Sequence, residues 1–168
     1  MALKKVLTIA GSDTSAGAGM QADLKTFQEL DTYGMVALAA IVTMDKETWS
    51  HDVTPIPFDV FNKQLETVIC IGPDAVKTGM LGTEEIIQRA GEAFTESGAK
   101  YFVVDPVMVC KGENEVLNPG NTEAMIQYLL PKATVTTPNL FEAGQLSGLG
   151  TLKSVSYTHL TLPTSDLV

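Results

Sequence analysis

Basic residues are scarce in this sequence. Eleven Lys and Arg stand against twenty Asp and Glu, for a formal net charge of −9. That balance excludes a general phosphate-backbone binder, which would need a basic face, so no nucleic-acid partner is expected. It leaves a phosphate ligand open, because backbone N–H groups and helix N-termini hold anions without net positive charge. Cysteine is scarce too. Cys70 and Cys110 share no metal-ligand spacing, and two thiols make no secreted disulfide framework. No apolar run reaches the ~18 residues of a membrane span, and no charged-then-apolar leader opens the chain. No membrane partner is expected, and the expected location is the cytoplasm. Internal repeats and low-complexity linkers are also missing. What remains, 168 residues with 45% hydrophobic and 18% charged, suits a soluble globular domain with a sizeable core.

The most informative stretch is Ala10-Gly-Ser-Asp-Thr-Ser-Ala-Gly-Ala-Gly-Met20. It follows a short β-prone run, Val6–Ala10, and precedes Met20–Leu30, whose apolar positions recur at helical spacing. The pattern reads strand, glycine-rich turn, helix. In an α/β protein a small polar ligand binds just past the carboxyl end of such a strand. Gly11, Gly17 and Gly19 allow the backbone to approach a ligand closely. The spacing matches neither a Walker loop nor a dinucleotide fingerprint, and a plain tight connection is the other reading.

Strands are expected over Lys5–Ala10, Met35–Met44, Ala75–Thr78, Tyr101–Asp105 and Thr134–Thr137, most of them near-continuous apolar or β-branched runs. Helices are expected over Met20–Leu30, Phe58–Ile69, Glu84–Ser97 and Thr122–Leu130. This alternation predicts a parallel sheet between helical layers, a three-layer αβα sandwich. The polar segment Asp45–Pro55 interrupts it and carries the sole Trp, Trp49. Two readings stand: a flap over the site, or a surface crossover with Trp49 packed on the sheet edge.

Parallel strands gather their carboxyl ends at one edge. Ser12, Asp13, Met80, Asp105, Asn139 and Glu142 all follow strands and are expected to converge there. Asn139 and Glu142, three apart, share one side of a helical turn. Oxygen donors of this kind suit Mg2+, which keeps several waters and binds substrate phosphates. Each position also has a plainer role. Asn139 is a good N-cap after Pro138, and Asp105-Pro106 is a good turn initiator. His51 could be a solvated side chain or an acid–base group. Cys110 could be a small buried apolar residue or a reactive thiol.

Four motifs in order, LTIAGSDTSAGAGMQADLKTF from Leu7, KTGML from Lys77, DPVMVCKG from Asp105 and TPNLFEA from Thr137, resemble the vitamin kinases of the ribokinase superfamily. These are the pyridoxine/pyridoxal kinases and the hydroxymethylpyrimidine kinases. The resemblance runs from about Leu3 to Leu152. It implies a ribokinase-like fold with a small flap, usually dimeric, that moves the γ-phosphate of ATP to a hydroxymethyl group on a heteroaromatic ring. Where hydroxymethylpyrimidine kinases carry Gln or Glu, this chain has Met44, which offers a polarisable wall but no acceptor for an exocyclic amine. That points to B6 vitamers first and to hydroxymethylpyrimidine second; a module that only binds such a ring is the non-enzymatic reading.

Carried onto this chain, the resemblance implies that Gly11, Ser12, Asp13, Ala18, Gly19 and Met80 border the substrate ring. Met44 would lie against it, Val107 would offer backbone contacts, Cys110 would stand beside it and His51 would sit on the flap. It places Asp105, Lys111, Asn139 and Glu142 nearest the ATP phosphates, with Asp105 and Glu142 at Mg2+. No catalytic residue is assigned beyond His51 as a candidate. Family members continue well beyond this length, through a glycine-rich anion hole that has no match here. Residues 1–153 are therefore expected to be the N-terminal part of such a kinase, inactive alone. Ser154–Val168 reads as a tail foreign to the family, a truncation or translation artefact.

Overall fold

The computed structural model describes residues 3–108 and 119–150. Cys110, Lys111 and the Ser154–Val168 tail lie outside the described residues. Six strands form one sheet in the order β3-β2-β1-β4-β5-β6. They are β1 (Lys5–Asp13), β2 (Tyr33–Met44), β3 (His51–Pro55), β4 (Ala75–Thr78), β5 (Tyr101–Val104) and β6 (Val135–Thr136). All neighbouring pairs are parallel except β2 with β3. The helices are α1 (Gly19–Glu29), α2 (Phe58–Ile71), α3 (Glu84–Ser97), α4 (Pro119–Ala124) and α5 (Leu140–Ser147). α4 continues through a π turn over Met125–Leu129 and a 3-10 turn over Leu130–Lys132.

Strand alternation assigns the layers. Leu7 and Ile9 of β1 and Met35, Ala37 and Ala39 of β2 join the main core with Phe61 and Leu65 of α2 and Ile86 and Ile87 of α3. Their neighbours Thr8 and Gly34 point to the opposite face, as successive residues of a strand must. There Thr8 meets Asp23 of α1, and a Cβ on Gly34 would come 2.7 Å from Leu24 Cδ2 of the same helix. α1 thus covers one face of the sheet and α2 and α3 the other. This is the expected αβα arrangement with a mostly parallel sheet.

The expected elements form, with shifted ends. β1 runs three residues further than Ala10, so the first part of the glycine-rich stretch is strand. Strand β5 stops at Val104, leaving Asp105 just beyond it, and β6 is shorter than Thr134–Thr137. The helix expected over Thr122–Leu130 starts earlier, at Pro119, and widens into the π turn. The Asp45–Pro55 segment is a hairpin, with Asp45 N–H donating to Ser50 O at 3.0 Å before β3 returns along β2. Its Trp49 is 66% exposed at the tip, which removes the reading in which it packs on the sheet edge. His-Asp-Val-Thr-Pro hides this strand from the sequence: its residues are mostly polar, and Pro55 is tolerated because the strand is an edge.

Candidate active site at the carboxyl edge

Strand order reverses beside β1, where β2 lies on one side and β4 on the other. Ligands of open α/β sheets bind outside the strand ends at such a switch point. The end of β1 is opened by a bulge: Ala10 pairs with Leu38 and Ser12 with Ile41. Gly11 sits at this irregularity. A Cβ there would be 3.4 Å from Ala40 O, 3.7 Å from Met80 Cβ and 3.7 Å from Val42 Cγ2. Gly11 and Met80 are therefore brought together across the switch point. Val42, Met44 and the cross-strand partner of Met44, His51, share one face of the β2–β3 hairpin by their register. Met44 and His51 extend the wall that Val42 begins beside Gly11.

The turn from β1 to α1 is held by Asp13. Its carboxylate accepts N–H groups of Ser15 at 2.8 Å, Gly17 at 3.1 Å and Ala18 at 2.8 Å, and the Ser15 hydroxyl at 2.9 Å. Burial opposes the charge, but the hydrogen bonds from Ser15, Ala18 and Gly17 outweigh it and hold the carboxyl below its ordinary range. Asp13 itself thus occupies the concavity of N–H donors that a phosphate would seek. Ser12 is half-buried in β1, Ala18 is exposed as the N-cap of α1, and Gly19 begins that helix.

The other end of the crevice is acidic. Glu142, 4% exposed, closes a capping box at the start of α5: Asn139 N–H donates to Glu142 Oε2 at 2.8 Å, and Glu142 N–H donates to Asn139 Oδ1 at 2.9 Å. The plainer reading of Asn139 therefore holds. Met108 N–H also donates to the Glu142 carboxylate. Burial pushes the Glu142 carboxyl up, and the charge of Asp105 adds to that rise. Asp105 is raised as well, by burial first, with Lys77 pulling the other way and Asp23 adding to the rise. Thr137 N–H donates to Val104 O at 3.1 Å and its hydroxyl stands 3.5 Å from Asp105 Oδ1, so the Asn139–Glu142 box that follows Thr137 and Pro138 starts beside Asp105. Val107 lies beside them, but its N–H is spent on Asp105 O at 2.9 Å, a tight turn over Pro106.

Among the described residues, no cluster of three His, Cys, Asp or Glu side chains has the form of a metal cage. Asp105, partly exposed, and the buried Glu142, which already accepts two backbone N–H groups, are instead two carboxylates whose mutual repulsion a cation would relieve. That donor set fits Mg2+, which keeps waters and takes its remaining ligands from phosphates.

Two polar groups at this end were not singled out by the sequence. Lys77 Nζ contacts Asp23 Oδ2 at 3.0 Å and Asp105 Oδ2 at 3.7 Å. Asp23 also accepts the Thr8 hydroxyl at 2.6 Å. The signal was thin: Asp23 reads as one polar residue on the outer face of a helix. A separate groove of roughly 430 Å3 lies between α3 and α4, rimmed by Glu84, Glu85, Gln88 and Glu123. It contains none of the strand-end residues, and its acidic rim suits no phosphate.

The sequence profile described as phosphomethylpyrimidine kinase matches residues 13–161. The chain belongs to this family. The chain is also similar to solved and curated kinases. Pyridoxal kinase from Staphylococcus aureus, solved with ADP and with pyridoxal, aligns with a TM-score of 0.89 and 82% identity in both cases; the match covers 94% of this chain and 57% or 58% of those. Pyridoxine kinase of Bacillus subtilis is 57% identical over 157 residues, 92% of this chain and 58% of that protein. The hydroxymethylpyrimidine/phosphomethylpyrimidine kinase of Bacillus subtilis is 41% identical over 150 residues, 89% of this chain and 55% of that protein. The chain spans just over half the length of these relatives. No helix among the described residues is long and apolar enough to cross a membrane.

Proposed function

We propose that this chain carries the substrate end and part of the phosphate end of an ATP-dependent kinase. The kinase phosphorylates the hydroxymethyl group of pyridoxine, pyridoxal or pyridoxamine to give the 5′-phosphate. One observation carries this reading. Gly11 with Met80, and Asp105 with Glu142, open on one sheet edge at a switch point, in a chain 82% identical to a kinase solved with pyridoxal and with ADP.

In this reading the ring lies over Gly11 and against Met80, with Met44 and His51 on the hairpin closing over it. Gly11, Ser12, Ala18 and Gly19 border the ring through backbone, while Asp13 acts indirectly by fixing the turn. Val107 contributes through its half-buried side of the Pro106 turn. The nucleotide phosphates lie toward Asp105, Asn139 and Glu142. Mg2+ bound at Asp105 and Glu142 would neutralise phosphate charge. The residues position rather than react, since phosphoryl transfer asks little covalent work of a protein. Cys110 and Lys111 keep their sequence assignments to the ring and the phosphates. A homodimer and a cytoplasmic location belong to the same proposal and rest on the family resemblance.

A second reading, hydroxymethylpyrimidine kinase, is favoured by the family profile and the 41% relative. Met44 argues against it, because a thioether leaves an aminopyrimidine edge unpaired. Calorimetric titration of the chain with pyridoxine and with hydroxymethylpyrimidine, beside a coupled assay for ADP release, tests the proposal. Tighter binding of pyridoxine supports it, and binding without ADP release is the expected result for a chain that spans just over half the length of the kinases it matches. Preference for hydroxymethylpyrimidine, or no binding of either ring, overturns it.

A further inference from the structure

Lys77 is placed between two carboxylates from different layers of the fold. Thr8 of β1 and Lys77 of β4 are cross-strand partners, and both side chains meet Asp23 of α1. The ammonium makes 3.0 and 3.1 Å contacts to the two Asp23 oxygens but stands 3.7 Å from Asp105 Oδ2. On its other oxygen, Asp105 has, among the described residues, a 3.5 Å contact from the Thr137 hydroxyl. Space for the ammonium depends on a missing side chain. A Cβ on Gly79 would sit 3.2 Å from Lys77 Nζ and 3.1 Å from Ala10 Cβ. The motif Lys77-Thr78-Gly79 therefore supplies both the charge and the room for it.

We infer that Lys77 tempers the cation affinity of Asp105: Asp23, itself held by Thr8, keeps the ammonium back, which leaves the Asp105 carboxylate open to a divalent cation. The inference rests on the proposed phosphate end and adds a part to it. Were Asp23 absent, the ammonium would settle on Asp105 as a close ion pair and compete with the incoming cation. Were Lys77 absent, Asp105 would lose a neighbouring positive charge and hold a cation more tightly. A pair that merely clamps α1 to the sheet, with its charges turned away from Asp105, predicts neither shift.

The test is binding of manganese(II) alone, read by the loss of its free-ion paramagnetic resonance signal. The full chain is titrated as wild type, Lys77→Met, Lys77→Gln, Asp23→Asn and Asp105→Asn, each checked for folding by circular dichroism. Both Lys77 variants should bind the ion about tenfold more tightly. Asp23→Asn should bind it more weakly than wild type. If the Lys77 variants weaken binding or leave it unchanged, the inference fails, while loss of binding in Asp105→Asn would still support the phosphate-end assignment. If wild type shows no saturable site sensitive to Asp105, the cation assignment fails and the inference with it. Opposite shifts in two folded variants cannot come from general loosening.

Discussion

No side chain fits between Gly19 and Gly11. A Cβ on Gly19 would lie 2.5 Å from Gly11 O, and the residue holds φ +59°. The glycine-rich turn thus folds back on the end of β1 by backbone contact, which sets the start of α1 against the crevice.

Gly19→Ala should consequently destabilise the chain by about 1–3 kcal/mol from left-handed backbone alone, with the collision added. Gly17→Ala is the matched control. Its Cβ would meet Ser15 Oγ at 3.5 Å and Asp13 Oδ2 at 3.7 Å, ordinary contacts, so it should cost about 0.5 kcal/mol or less. Urea unfolding of both variants checks the contrast.

Asp13 makes a prediction at low pH. Its carboxyl is held below the ordinary aspartate range in the folded chain, so the folded state favours the ionised form. The stability it contributes is complete above that ordinary range and is lost as pH falls through the lowered folded value. Asp13→Asn should be less stable than wild type at neutral pH, and the gap should close on acidification. Thermal melts across the acid range measure it.

The phosphate end behaves oppositely. Asp105 and Glu142 are raised in the folded state, by burial first, so folding retains protons there that the unfolded chain has lost. Stability should fall as pH rises from the ordinary carboxylate range through the raised folded values. Asp105→Asn should flatten that decline, and magnesium should offset it in wild type but not in the variant. Melting temperature against pH, with and without magnesium, reads both effects.

Much of this was legible in the sequence because the strands are apolar runs with polar residues at their carboxyl ends. Thr78, Asp105 and Thr137 mark those ends, and parallel pairing forces them to one edge. Asn139 and Glu142 were legible as a pair because residues three apart share one side of a helical turn, but the reciprocal capping box they form was not read from the sequence. β3 was not, since an exposed edge strand carries no hydrophobic alternation. The Thr8–Asp23–Lys77 set was not either. Its members are separated by 15 and 54 positions along the chain, and only the stacking of α1 over β1 and β4 joins them. Asp13 was legible as a site residue but not in its role, which depends on how the turn curls around its carboxylate.

Met44 should set ring preference. Met44→Gln adds a hydrogen-bonding group to the hairpin wall, and one such bond is worth about a two- to tenfold change in affinity. The ratio of hydroxymethylpyrimidine to pyridoxine affinity should rise by that factor, measured by calorimetry on the chain. An unchanged ratio would remove Met44 from the ring's contacts.

The central claim is that a heteroaromatic alcohol docks at the switch point beside β1. Amide chemical-shift mapping of the nitrogen-15-labelled chain titrated with pyridoxine tests it most directly. The account predicts saturable shifts centred on Gly11, Gly19, Met44 and Met80. Shifts centred instead on Glu84, Gln88 and Glu123 in the groove between α3 and α4, or none at saturating pyridoxine, would contradict it.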